Sequence, residues 1–494
     1  MQESPLRASQ PPPLSDQRYP ILSLYSSARI QEINEAVIEM EWNGFAIDTD
    51  YFGVQAAKAR ANQAAILASL RDLLVEGGVK HGTPDDIWSS PKQLTRLLEE
   101  DLGLPPSPYW FKGKVKLNAG ERKTDRVALE WIESHAVRPG VNVAARRIVA
   151  GVMALRRVSS SLKYLEKLPR YVGPDGFVHP VCGPAGDEDD RVGAITGRLG
   201  VKNPEAHQIP RDKRKDAYNI RRGFVAPAGQ LLVVRDYTAL EVVIMANICE
   251  WLFDDTLLLE LTAPGMDIHS FNAHRVFGTL LKQRTPSGRP IADARLEEFK
   301  TDPELAWYRD AIKAVWYKLQ YGGTVHGFAT SLRDERGEPV GFGRAGEIVG
   351  ALYEAVPSIP RWTDLVARIM RRDGSITALD GRLVDYSDLI ARDDPSSDRQ
   401  WAFDAACRGA QNHPMQGTGA HVIGCAMADE ADCPEMRRLG AKLELQVHDE
   451  MRWRCPEANV ARVDGLADEI MSGAFPLKNL RTAGGIGHTW SDCK

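Results

Sequence analysis

The sequence predicts an α+β fold: helices through most of the chain and a few short strands. Three observations carry that reading. Apolar residues recur at helical spacing over most of residues 30–170, and residues 267–394 read the same way. A continuous apolar run, Leu231–Val234, follows closely on Gly229 and has the length of a buried strand. Leu443, Leu445 and Val447 alternate as in a half-buried strand.

The elements follow in order. Residues 1–29 begin "MQESPLRASQPPPLSDQRYP", a Pro- and Ser-rich stretch that reads as a flexible arm and has no apolar segment of a secretory signal. "AAKARANQAAILASLRDLLVE" is a long helix. "SSPKQLTRLLEEDLG" offers a serine N-cap with proline at the first helical position, and stops at glycine. "AARRIVAGVMALRRVSSSLKYLEKL" is a further helix whose Arg and Lys residues suit a solvated face. After the strand ending at Asp236, the spacing of Leu240, Val243, Ile244 and Ile248 is helical, with Glu241 in the first turn. The last hundred residues read as a helix around 403–430, the strand pair "LELQVHDEMRWRC", and a short helix near 459–472.

The totals exclude several classes. At 494 residues the chain can bury a large core in two to four subdomains. The seven cysteines form no CxxC pair, which argues against structural zinc and a disulfide framework and for a reducing, intracellular setting. No apolar run approaches the ~18 residues that span a bilayer. Net charge is −5, yet residues 191–222 carry nine Lys/Arg against Glu205, Asp212 and Asp216, a local +6 suited to phosphates.

Two helical stripes and one acidic pair suggest chemistry. In "YRDAIKAVWYKLQYGG", Arg309, Lys313, Tyr317 and Tyr321 are four apart and drift only ~40° per step, so they share one broad face. It is cationic at one end and aromatic at the other, as a triphosphate and a base require. An amphipathic helix with two core tyrosines has the same spacing. In "CRGAQNHPMQGTGA", Arg408, Asn412 and Gln416 repeat the pattern, with Pro414 expected to bend the helix. Long hydrogen-bonding side chains in a row suit a DNA minor groove, and equally a polar solvent face. Asp236 and Asp449 both end apolar strands. Brought together in one sheet they would need divalent cations, and oxygen ligands suit Mg²⁺.

"RDYTALE", "RDAIKAVWYKLQYG" and "LQVHDE" resemble motifs A, B and C of family A (DNA polymerase I-like) DNA polymerases, of phage or prophage type, in the same order. "TGRLG", "HQIP", "IRRGFVAPAGQ", "DIHSFNAHRVFG" and "ACRGAQNHPMQGTGA" extend the resemblance over residues 30–494. It implies a right-hand polymerase fold, with an antiparallel palm sheet and helical fingers and thumb. The N-terminal remnant packing on the palm would be 30–59, the thumb 60–180, the palm 181–266 plus 395–494, and the fingers 267–394. The implied activity is template-directed addition of dNTPs to a primer 3′-OH. Asp236 and Asp449 would hold two Mg²⁺ ions, for which Mn²⁺ could substitute, with Glu450 beside them. Arg309, Lys313 and His269 would bind the triphosphate, Lys313 protonating pyrophosphate. Tyr317 would border the sugar, Glu241 exclude a 2′-OH, and Tyr321 stack near the templating base. Arg198, Arg408, Asn412, Gln416 and His448 would contact the primer–template. The expected form is a monomer in the cytoplasm of a bacterial or phage-infected cell.

The chain departs from the family at "DYTALEVV" in motif A, at Trp316-Tyr317-Lys318 where the family has Asn-Phe-Gly, and at "EAHQIP". The polymerase-like region starts some thirty residues in, so the expectation is no 3′–5′ or 5′–3′ nuclease; the contiguous "DEDD" at 187–190 is not such a site. The alternatives are a repair, translesion or RNA-templated polymerase of the same fold, or a non-catalytic primer–template binding protein.

Overall fold

The computed structural model describes residues 26–79, 87–104, 111–112, 115–116, 124–135, 143–184, 196–209, 218–320, 322–332, 340–391 and 399–493. Residues 1–25 of the arm, Tyr321, the acidic run at 187–190, and Arg191, Arg211, Lys213, Arg214 and Lys215 lie outside them. The elements that matter here are α1 (Ser27–Asn43), α2 (Thr49–Glu76), α3 (Val143–Lys167), β1 (Gln230–Tyr237), α4 (Leu240–Phe253), α5 (Pro303–Gln320), α6 (Arg399–Ala431), β2 (Lys442–Val447), β3 (Glu450–Pro456), α7 (Val460–Gly473) and β4 (Thr482–Gly487).

The chain divides into two compact units. One is Ile47–Gly176 with Ile209–Phe224. Its core joins Leu70, Leu73 and Leu74 of α2 to Ile148, Val149 and Val152 of α3, with Leu94, Leu97 and Leu98. Asp48 caps α2 by accepting the Tyr51 N–H at 2.8 Å, a contact whose loss typically costs about 1 kcal/mol. Ser90 caps the Pro91–Arg96 helix as its Ser-Pro start predicts, and the helix runs on into a wider π-turn at Leu97–Asp101. Arg147 pairs with Glu76 at 3.1 Å on the surface, where such a pair contributes little. Arg221 of the basic segment is buried, so that charge is not presented to a partner's phosphates.

The other unit is Met1–Ala46, Phe177–Gln208 and Val225–Lys494. It is built on a four-stranded antiparallel sheet in the order β2-β3-β1-β4. Strand side chains alternate, so the sheet has two distinct faces. Val233, Tyr237, Met451 and Trp453 enter a core shared with α4, α5, α6 and with Val463, Leu466 and Met471 of α7. Leu232, Val234, Glu450, Arg452 and Arg454 share the opposite face, as their register requires.

That second face corrects the half-buried reading of β2. Its alternating polar residues, Glu444 and Gln446, are buried too. Arg452 Nε lies 3.2 Å and Arg454 Nη1 2.7 Å from the Glu444 carboxylate. Arg454 also donates to the Gly44 and Asn43 carbonyls at 2.8 and 3.0 Å. Pairing and hydrogen bonding offset the large cost of desolvating these charges, so here alternation does not mark a wet face. One local difference is smaller. Thr238 and Ala239 separate β1 from α4, with Ala239 left-handed at φ 53°. Pro414 lies inside α6, whose helical turns continue on both sides of it.

Glu430, near the end of α6, is buried, and burial pushes its carboxyl up to about 8, helped by the charge of Glu39 and opposed by that of Arg437. A raised acid binds more protons in the folded than in the unfolded chain. Stability should therefore fall as pH rises from about 4.5 and level off above about 8. Melting curves of wild type and Glu430→Gln across this range should diverge, with the variant flatter; identical slopes would reject the assignment.

Candidate active site

Asp236 is the penultimate residue of β1. It stands opposite Glu450, the first residue of β3, and opposite Ala483 of β4 on its other side. Directly opposed residues share a face, with Cβ atoms about 5 Å apart. Asp449 occupies the two-residue turn from β2 to β3, and its carbonyl accepts the Tyr237 N–H at 3.0 Å. His448, the first turn residue, is exposed with φ 57°, the left-handed conformation a tight hairpin favours. The Gln446 side chain donates to the His448 carbonyl and braces the turn.

Three acidic residues thus gather at one end of the sheet, but in different environments. Asp236 and Asp449 are half-buried. Glu450 is 1% exposed, and its Oε1 accepts the Trp490 indole N–H at 2.5 Å. The Arg452 guanidinium lies 5.0 Å from the Trp490 ring. Glu450 is therefore fixed by its neighbours, while the two aspartates keep part of their surface exposed.

The α5 helix carries Tyr317. Burial pushes the Tyr317 phenol up to about 12, and the carboxylates of Glu241, Asp449 and Asp236 push it further in the same direction. The hydroxyl therefore stays protonated at neutral pH. Tyr317 also lies against His269, ring centroids 5.8 Å apart. Glu241, in the first turn of α4, is almost buried and pairs with Arg198 at 2.8 Å. Trp316, the departure beside Tyr317, is completely buried in the helical core.

One residue that the sequence reading missed organises the cationic end. Asp267 caps the short helix Ile268–Ala273 and pairs with Arg309 at 2.9 Å and Lys300 at 3.1 Å. Burial alone would raise its carboxyl; the Arg309 and Lys300 charges reverse this and hold it well below the usual carboxylate range. His269 follows two residues on. Desolvation pushes its imidazole down to about 4; Asp267 opposes that shift, while Lys313 and Arg309 reinforce it. Lys313 itself is exposed. An Asp two residues before a His, at a helix start, was the available signal, in "MDIHSF".

The α6 stripe is visible as a burial pattern. Arg408, Asn412 and Gln416 are half-buried while their neighbours Cys407, Gln411, His413 and Met415 are buried. Gly419 on the next turn faces Leu240 and Ile244 of α4. In the divergent "EAHQIP" stretch, His207 accepts or donates across 2.7 Å to the Gln446 carbonyl, and its ring lies 5.6 Å from that of His448. Trp490, near the far end of the chain, is the second functional neighbour that motif reading did not reveal.

Among the described residues, no three His, Cys, Asp or Glu side chains converge as a metal cage. Asp236 and Asp449 nonetheless offer hard oxygen donors at half-exposed strand ends, a donor set that fits Mg²⁺ and leaves other positions for water or ligand oxygens.

Comparison with known proteins extends these findings. The model of DNA polymerase family A matches residues 87–492. The thermostable DNA polymerase I of Thermus thermophilus is 29% identical over 476 residues, 96% of this chain and 49% of its own. DNA polymerase I of Deinococcus radiodurans is 27% identical over 458 residues, 92% of this chain and 41% of its own. The chain spans about half the length of the curated relatives it matches. A solved structure, the POL domain of Pol1 from M. smegmatis in complex with DNA primer-template and dNTP, aligns with a TM-score of 0.74 at 26% identity, covering 97% of this chain and 72% of that one. The family match takes in β1 to β4 and α4 to α7, which frame the candidate site, and so the chain belongs to DNA polymerase family A and has its right-hand fold.

Proposed function

We propose that the chain is a template-directed DNA polymerase that joins dNTPs to a primer 3′-OH, with Asp236 and Asp449 holding two Mg²⁺ ions. The observation that carries this reading is the strand end itself: Asp236 stands in register with Glu450, and the Asp449 carbonyl accepts the N–H of Tyr237, the residue after Asp236. Two carboxylates suited to metal therefore share one end of the sheet, and α5 supplies cationic side chains suited to a triphosphate. When bound, the metal ions would lower the pKa of the primer hydroxyl and neutralise charge on the departing pyrophosphate.

The chain's own residues divide the remaining work. Arg309, preoriented by Asp267, and exposed Lys313 take the triphosphate oxygens as charge-assisted donors, and Lys313 can hand a proton to pyrophosphate. His269, neutral at physiological pH, contributes a hydrogen bond without adding charge. Tyr317 sits under the sugar as a protonated donor, and Tyr321 stacks by the templating base. Arg198, Arg408, Asn412, Gln416 and His448 contact the duplex. The minor groove's acceptors look alike in A·T and T·A pairs, so the α6 stripe can hold a duplex without reading its sequence. The reading includes a monomer acting in the cytoplasm of a bacterial or phage-infected cell.

A primer-extension assay tests it: labelled primer on DNA and RNA templates, with dNTPs or rNTPs, in Mg²⁺ or EDTA. Extension is expected with dNTPs on DNA in Mg²⁺. Binding of the duplex with no extension under any condition would leave only a binding protein.

Glu241 provides the sharpest specificity prediction. Pinned by Arg198, it cannot swing away from an extra hydroxyl on the sugar. A steric clash of about 1–3 kcal/mol corresponds to roughly 5- to 150-fold discrimination. Glu241→Ala should gain rNTP incorporation by that factor relative to dNTPs; an unchanged ratio in competition assays would remove Glu241 from this role.

A further inference from the structure

Asp236 is flanked in sequence by two residues whose side chains leave the opposite face of the sheet, and both reach α7. Arg235 donates through Nε and Nη2 to the two oxygens of Asp464 at 2.9 and 2.8 Å. Its Nη1 lies 2.7 Å from Asp468 and 3.0 Å from Thr482 Oγ1 on β4. Thr482 in turn donates to Asp468 at 2.5 Å. Two residues on, the Tyr237 hydroxyl donates to the Met471 carbonyl of α7 at 2.8 Å. The strand end is thus bolted to one helix on both sides of Asp236.

On its β4 side the sheet gives that end little side-chain packing. β4 reads Thr482-Ala483-Gly484-Gly485, and Ala483 and Gly484 are the partners of Asp236 and Arg235. They bring almost no side-chain packing, and glycine leaves the backbone its widest freedom. A planar guanidinium engaged by a bidentate carboxylate fixes direction as well as distance. The Arg235 side chain is only 13% exposed, while its partners Asp464 and Asp468 keep a wetter edge.

We propose that Arg235, held by Asp464 and Asp468, is a positioning residue that aims the Asp236 carboxylate at the metal site from behind the sheet. The proposal rests on the polymerase reading above. A misplacement of about 1 Å at a reacting centre can cost on the order of 100-fold in rate. Loosening the clamp should therefore lower kcat and weaken metal binding while leaving the KM for dNTP nearly unchanged, because the triphosphate residues lie on other elements.

The test uses the full chain with primer–template and a non-hydrolysable dNTP, with Mn²⁺ binding followed by electron paramagnetic resonance alongside steady-state extension. Wild type must bind Mn²⁺ and extend primer; if it does neither, the polymerase reading fails rather than the clamp. Arg235→Met is expected to raise the Mn²⁺ midpoint and to lower kcat, each by about 10- to 100-fold, with KM for dNTP within about twofold. Arg235→Lys should fall between the two. Leu466→Ala, which weakens the same helix outside the clamp, should lower the melting temperature and leave the Mn²⁺ midpoint alone. If Arg235→Met does not fold, Arg235→Lys and Asp468→Asn decide by the same readouts. Wild-type Mn²⁺ midpoints and kcat in the folded variants overturn the proposal, as does a midpoint shift in Leu466→Ala equal to theirs.

Discussion

Asp236→Ala and Asp449→Ala should each reduce single-turnover primer extension in Mg²⁺ by about 10³-fold or more, since each would remove a ligand worth several kcal/mol to the transition state. Neither side chain belongs to the hydrophobic core, so both variants should melt cooperatively. The two losses should not multiply in the double variant, because either one dismantles the same site. Glu450→Gln should behave differently. That carboxylate is 1% exposed and bonded to Trp490, so its change should appear first in stability and only then in rate. Retention of wild-type rates by both aspartate variants would end the metal assignment.

Gly484→Ala should have the largest effect on stability among conservative changes near the site. A Cβ added there would lie 1.9 Å from the Val234 carbonyl oxygen and 2.9 Å from Arg235 Cα. Both are backbone atoms of β1, so relief requires β1 and β4 to part. Overpacking of this kind costs about 3 kcal/mol, sometimes more. Denaturant unfolding should show that loss, and extension should drop with it because Ala483, the next residue, is the direct neighbour of Asp236. Gly473→Ala is the natural control: an added Cβ meets nothing within 4 Å, and stability should hold. Equal stability of the two variants would show that β4 is free to give way.

Much of this was legible in the sequence, for reasons particular to each element. The β1 strand was announced by an apolar run and its end by Asp236. The α6 stripe was announced by four-residue spacing, which became a visible alternation of half-buried and buried positions. Other features resisted because they depend on partners far along the chain. The buried polar residues of β2 looked solvent-facing because Arg452 and Arg454, which pair with Glu444, come from the neighbouring strand. Asp267 gave a capping signal, but no spacing rule tied it to Arg309. Arg235 read as an ordinary charge beside a motif, since its partners sit on α7. Trp490 had no local pattern at all; only the folded chain brings its indole to Glu450.

The antiparallel register has a consequence for how the gene can change in length. Along β1 and β3 the side chains alternate faces, with Asp236 opposite Glu450 and Arg235 opposite Met451. Deleting or inserting one codon within either strand would exchange the faces of every residue beyond it, sending a carboxylate toward the helical core and an apolar side chain toward the site. A two-codon change restores the faces but slides the carboxylates by roughly 6–7 Å, beyond the reach of a shared ion. Neither kind of edit has a nearby repair. Drift in length is therefore confined to the connections, and these two strands can change only one letter at a time.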